Sequence, residues 1–160
     1  MRALLVLLAA LVAAFPAVAQ TSPARIGAGI DAVIVPVRAG DVDPGVGLGV
    51  RGRVALPVNA DLSAAASAGL SANLAGNAEL TATPQVSLIV TLADRRKYLL
   101  GGFGGFVPLS GGGGGATVHV GFGTAVPLSE TSLYFEVNPA LVVGSSETTV
   151  VIPARVGVIF

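Results

Sequence analysis

The chain has 160 residues, nine Lys and Arg against nine Asp and Glu, and no Cys. Hydrophobic residues make up 52%, charged residues only 11%, and the mean hydropathy is +0.80. Zero net charge removes the electrostatic case for a nucleic-acid partner. The lack of Cys removes disulfide frameworks and thiolate metal sites, and so few charges leave little polar surface for a domain in water.

Residues 1–19 read as a cleavable signal peptide. Arg2 precedes an apolar run from Ala3 to about Ala14, and Ala17-Val18-Ala19 supplies the small-residue pattern for cleavage after Ala19. That run is short of the roughly 20 residues a helical span needs. No later stretch is long and apolar enough to be a membrane helix. In hydrocarbon only helices and closed barrels satisfy every backbone group, so residues 20–160 are expected to form a barrel.

The chain from Gln20 breaks into runs separated by turn residues. The expected strands are 24–37, 46–58, 62–74, 84–93, 98–110, 116–129, 132–144 and 149–160. Each is long enough for the roughly 9–11 residues of a tilted membrane strand. Period-two alternation marks several of them. Val46, Leu48, Val50, Val54, Leu56 and Val58 oppose Gly47, Gly49, Arg51 and Arg53 in the second run. In the third, Leu62, Ala64, Ala66, Ala68, Leu70, Ala72 and Leu74 oppose Ser63, Ser67, Ser71 and Asn73. The sixth sets Val118, Val120, Phe122 and Val126 against Thr117 and His119, and the seventh sets Leu133, Phe135, Val137, Leu141 and Val143 against Tyr134, Glu136 and Asn138. An apolar face alternating with a small or polar one is what a lipid-out, lumen-in strand requires. Pro36, Pro57, Pro84, Pro108 and Pro127 are expected near strand ends, whereas Pro139 and Pro153 fall inside runs and are expected at bulges.

By this parity Asp31, Arg51, Arg53, His119, Glu136 and Arg155 face inward, together with Arg25 at the start of the first run. An eight-stranded barrel is just wide enough for its side chains to fill it, so inward charges must pair. Asp31 is expected opposite Arg51 or Arg53, and Glu136 opposite Arg155, as a structural polar plug. His119 is the single His, with no further ligands arranged for a metal. The run "GGGGG" at 111–115 lacks the Lys and following helix of a phosphate loop. The basic turn "DRRK" at 94–97 reads as a solvated turn, with contact to lipid phosphates as its functional alternative.

The last run alternates Val150, Ile152, Ala154, Val156 and Val158 with Pro153, Arg155, Gly157 and Ile159, and ends on Phe160. This pattern, the export signal and the eight runs resemble the small OmpA/OmpX-type outer-membrane barrels of bacteria. The resemblance implies an all-β, eight-stranded antiparallel up-and-down transmembrane barrel in the outer membrane. It implies that Ile152, Ala154, Val156, Val158 and Phe160 form an assembly signal read by the barrel-insertion machinery. It also implies that the turns at 59–61, 94–97 and 130–131 lie on the periplasmic side with both termini, and that the segments 38–45, 75–83, 111–115 and 145–148 are external. Tyr98, Tyr134, Phe135 and Phe160 would then form a partial aromatic girdle at the periplasmic rim. The expected role is non-enzymatic, structural or as a minor narrow pore, in a monomer whose partners are outer-membrane lipid and the assembly machinery, with no cofactor. Two other classes stay open: a soluble secreted or periplasmic barrel binding an apolar ligand, and a lipid-modifying outer-membrane enzyme. Lipid-deacylating enzymes that the chain resembles in size carry a Ser two residues after the His, where this sequence has Gly121.

Overall fold

The computed structural model describes residues 23–35, 45–74, 80–109, 114–144 and 148–160. The expected signal peptide, Pro36 and most of the four expected external segments lie outside them. Nine strand segments follow in chain order: β1 (Arg25–Val35), β2 (Gly45–Pro57), β3 (Leu62–Asn73), β4 (Leu80–Thr91), β5 (Lys97–Pro108), β6 (Gly115–Pro127), β7 (Ser132–Val137), β8 (Ala140–Gly144) and β9 (Thr148–Ile159). β1 to β6 each pair antiparallel with the next strand in the chain, and β9 returns to pair with β1. β7 and β8 are two halves of one stave, both lying between β6 and β9. The result is a closed eight-stave barrel, and no sheet edge is left to solvent.

The registers fix its shape. From Arg25 the cross-strand pairs run through Ala55, Ala65, Ser87, Gly102, His119, Ala140 and Val151. One step beyond the Ile34–Ile152 pair, Val151 faces Val35, so the circuit closes ten residues along β1 from where it began. With a rise of about 3.3 Å and staves about 4.8 Å apart, a shear of ten over eight staves tilts them by about 40°.

Three short hairpins close the end that also holds Arg25 and Phe160. Between β2 and β3, Asn59 Oδ1 accepts the amides of Asp61 (2.9 Å) and Leu62 (2.8 Å). Between β4 and β5, Asp94 Oδ1 accepts the amides of Lys97 (2.9 Å) and Arg96 (3.1 Å), which holds its carboxyl below the usual carboxylate range. Such side-chain caps are why Asn and Asp mark tight turns. Arg95 in the same turn has φ 55°, a left-handed conformation that normally goes to Gly or Asn. Between β6 and β7, the Leu128 amide donates to the Thr131 carbonyl at 2.8 Å.

The interior prolines do not sit at bulges. Pairing of the β7–β8 stave with β6 passes from Phe122–Val137 to His119–Ala140 with no residue gained or lost. With β9 it passes from Val137–Ala154 to Ala140–Val151 in the same way. The Asn138 amide donates to the Pro153 carbonyl (2.9 Å) and the Val120 amide to the Pro139 carbonyl (3.1 Å). Each is half of a two-bond antiparallel pair, and the return bond is missing because its donor would be a proline nitrogen. Two adjacent lost bonds, one on each side of the stave, interrupt it without shifting the register. A third proline also corrects the sequence reading. β4 begins at Leu80, so Pro84 lies within the strand, and the β4–β5 ladder lapses between the Ala82–Val107 and Gln85–Gly104 pairs.

The faces follow the parity read from the sequence. Val50 (60% exposed), Val118 (61%) and Val120 (67%) point outward with Ile30, Leu88, Phe103 and Val150, while Asp31, His119, Glu136 and Arg155 are buried inside. The aromatic girdle is corrected: Tyr98 and Tyr134 are buried in the interior, and only Phe135 and Phe160 of that set are exposed. Glycines make room for both rings. A Cβ on Gly123 would overlap the Tyr98 ring, and one on Gly157 would meet the Tyr134 ring and the β1 backbone. In the register these are the cross-strand partners of those tyrosines, Gly123 of Tyr98 and Gly157 of Tyr134. Each ring therefore lies over a bare stretch of the next strand, which covers its backbone and pins the register.

Candidate functional site

The polar centre is built on three adjacent staves. Arg155 of β9 lies directly across from Asp31 of β1 on one side and from Glu136 of β7 on the other. Its Nη1 donates to Glu136 Oε1, at 2.6 Å. Its Nε lies 3.5 Å from Asp31 Oδ1, an ion pair too long to count as a hydrogen bond. Arg51 of β2 donates from Nε to Asp31 Oδ2 at 2.7 Å. Arg53 reaches across the lumen, donating from Nη1 to Glu136 Oε2 at 2.9 Å. Tyr98 donates its hydroxyl to the same oxygen at 3.2 Å.

Three guanidiniums thus meet two carboxylates, and neutral groups take up the excess. Gln85 Oε1 accepts from Arg51 Nη1 and from Arg155 Nη2, both at 3.1 Å, and so ties β4 to the opposite wall. Arg51 also donates to Thr83 Oγ1 (2.7 Å) and Ser67 Oγ (3.1 Å). Arg53 stacks over the Tyr134 ring at 4.8 Å and near the Tyr98 ring at 6.0 Å, placing its positive charge on their π faces. Side chains in this network are almost wholly removed from solvent, with Asp31 and Glu136 each 3% exposed. A charge so buried is tolerable only when paired and hydrogen-bonded.

Two separate cavities flank the network. One of about 30 Å³ lies on the long-loop side, lined by Arg51, Arg155, Gln85 and Thr117 among others. One of about 90 Å³ opens at the hairpin end, where Arg25, Arg53, Arg95 and Arg96 line it. Arg25, expected among the inward charges, therefore sits exposed at the mouth and outside the central network.

His119 lies beside this centre in a chain of its own. Its Nε2 is 3.3 Å from Ser87 Oγ and its Nδ1 is 3.0 Å from Asn138 Oδ1. The order Ser–His–Asn matches that of a nucleophile relay. Ser87, His119 and Asn138 are all buried, and neither Ser87 nor His119 lines either cavity. A nucleophile needs space for a carbonyl carbon near its oxygen and donors for the resulting oxyanion. The three residues here bridge β4, β6 and the β7–β8 junction, and the structural gain is that Asn138 is anchored where the stave is broken.

The sequence reading placed Asp31, Arg51, Arg53, Glu136, Arg155 and His119 inside the barrel, and the structure holds all six there. Five form the ion network and His119 stands apart. The reading missed Gln85, Thr83, Ser67, Ser87 and Asn138 as partners, and the inward turn of Tyr98. Thr81, Thr83, Gln85 and Ser87 recur with period two, and this signal was hidden by starting the strand at Pro84. Ile152, Ala154, Val156 and Val158 lie on the outer face of the closing strand, and the Phe160 amide donates to the Ile26 carbonyl at 2.8 Å. No protein-family model, curated protein or solved structure matches this chain.

Proposed function

We propose that this chain is a bilayer-spanning barrel of the bacterial outer membrane, non-enzymatic, exported as a precursor and closed at its centre by an ion-paired plug. The observation that carries the reading is the inversion of polarity. All eight staves turn Val, Leu, Ile and Phe outward, while Asp, Glu and Arg are buried within. A barrel in water has the opposite arrangement, with polar groups outside and an apolar interior. In lipid the outward residues lose nothing, and closure satisfies the backbone. The length fits as well. Twelve residues of β3 or β9, tilted by about 40°, cover about 30 Å, the thickness of the hydrocarbon core.

The competing soluble barrel requires a roomy apolar ligand cavity of about 300 Å³ or more, and the larger of the two cavities here holds about 90 Å³, with four arginines among its apolar residues. The outer face of β9 presents Ile152, Ala154, Val156 and Val158 as the strand that must meet β1 to close the barrel, which supports the assembly machinery as its partner. Expressed with its leader, the full chain is expected in the outer-membrane fraction, resistant to salt and carbonate washes and released by detergent. Recovery in buffer without detergent would overturn the reading. In planar bilayers the inserted barrel is expected to carry no steady current, because Arg53–Glu136 and Arg155–Gln85 bonds cross the lumen. Ohmic channels altered by Arg155 substitution would make it a narrow pore instead.

A further inference from the structure

The hairpin end of the barrel carries a feature that the plug does not use. Arg25 enters from the start of β1, and Arg95 and Arg96 enter from the β4–β5 hairpin on the far side of the ring. They converge with Arg53 on the cavity of about 90 Å³, whose wall also offers the hydroxyls of Ser63 and Thr91. Among the described residues no carboxylate pairs with Arg25, Arg95 or Arg96, and none lines the cavity. The nearest acid in sequence, Asp94, is held by its own turn amides and by Lys97 Nζ at 3.4 Å. Asp61 and Glu130 belong to the other two hairpins and stay outside the lining.

Arg25, Arg95 and Arg96 are exposed, so water and salt weaken their mutual repulsion, and an anion seated among them would lower it further. Guanidinium forks with hydroxyls beside them suit phosphate oxygens, which accept several charge-assisted bonds at once. The backbone adds a separate argument. Arg95 adopts φ 55°, where Gly would fit at lower conformational cost. The turn thus holds a cation at a position whose geometry favours a smaller residue.

We propose that this mouth is a binding site for a phosphate monoester or inorganic phosphate, gripped by Arg25, Arg95 and Arg96 above Arg53. The cavity belongs to the barrel itself, so the inference stands apart from the question of conduction. Two sources share this chemistry: a soluble phosphate and the monoester headgroup of phosphatidic acid reaching round the rim.

The test is a titration of the purified full chain with inorganic phosphate, followed by ³¹P NMR, in nanodiscs of phosphatidylcholine. Saturable binding is expected. Arg95→Gly keeps the turn and removes one guanidinium, and it should weaken binding by about tenfold, as should Arg25→Gln. Lys97→Gln, in the same turn but outside the cavity, should leave affinity unchanged. Repeating the titration with phosphatidic acid in the disc separates the sources. Competition identifies the lipid phosphate, and unchanged affinity identifies the soluble ion. Absence of saturable binding in phosphatidylcholine discs, or equal weakening by Lys97→Gln and Arg95→Gly, would overturn the proposal.

Discussion

Glu136 is the residue on which most of the interior converges. Its two oxygens accept from Arg155, Arg53 and Tyr98. Glu136→Gln removes the charge while keeping the shape; it leaves the buried Arg53 without a counter-ion and Arg155 with only its 3.5 Å pair to Asp31. Loss of one partner of a buried pair costs about 3–5 kcal/mol, and that decrease is expected in denaturant unfolding of the reconstituted barrel. Asp94→Asn, in a solvated turn where Asn can accept the same amides, should leave the unfolding midpoint nearly unchanged. Asp31 and Arg51 provide a sharper contrast. Arg51→Met alone takes from Asp31 its 2.7 Å partner and leaves only the 3.5 Å contact with Arg155, whereas Arg51→Met with Asp31→Asn removes both charges. The double variant is expected to be more stable than the single one, because a buried ion short of hydrogen bonds costs more than a missing pair. A double variant less stable than Arg51→Met would show that the pair contributes more than it costs to bury.

At the scale of elements, register is held by rings lying over bare backbone. Gly123→Ala would drive a methyl into the Tyr98 ring and Gly157→Ala one into Tyr134, each at a cost of about 1–3 kcal/mol. Gly123→Ala combined with Tyr98→Ala should cost less than the sum of its parts, a coupling that a double-mutant cycle in unfolding free energy reads directly. The broken stave makes a second expectation. Pro153→Val restores an amide facing the Asn138 carbonyl, so hydrogen exchange at Asn138 and Ala140 should slow. Exchange as fast as in the wild type would mean that the proline is not what opens the stave.

Strand number and facing were legible in the sequence because alternation is strict where β-branched residues meet Gly or Ser, as along Val46–Val58 or Thr117–Val126. The start of the fourth strand at Leu80 is not legible, because Pro84 reads as a boundary and the polar Thr81 and Thr83 before it read as loop. The pairing partners were only half legible. Direct cross-strand neighbours such as Glu136 and Arg155 follow from hairpin arithmetic. Contacts across the lumen, Arg53 to Glu136 and Gln85 to Arg155, depend on closure and shear, which no local pattern encodes. The habit of tyrosines at membrane interfaces points Tyr98 to the rim, whereas the Gly123 notch receives it inside; for Tyr134 the alternation already points inward, where Gly157 makes room for the ring.

For the whole molecule, the arrangement is a small barrel turned inside out: charge at the centre, hydrocarbon-like side chains around it, and a basic mouth at one end. Its closed form follows from size, since eight staves with a shear of ten leave a lumen that side chains fill. A conducting state would require Arg53, Arg155 and Gln85 to release their cross-lumen bonds together. The claim on which everything rests is that the outer face meets lipid. The measurement that addresses it most directly is NMR of the methyl-labelled chain in lipid nanodiscs, reading cross-peaks from acyl-chain and water protons. The outward methyls of Val50, Leu88, Val118 and Val150 should show acyl-chain contacts, and the inward ones of Ile89, Val142 and Val151 should show none. Water contacts without acyl-chain contacts at Val50, Leu88, Val118 and Val150 would contradict the account.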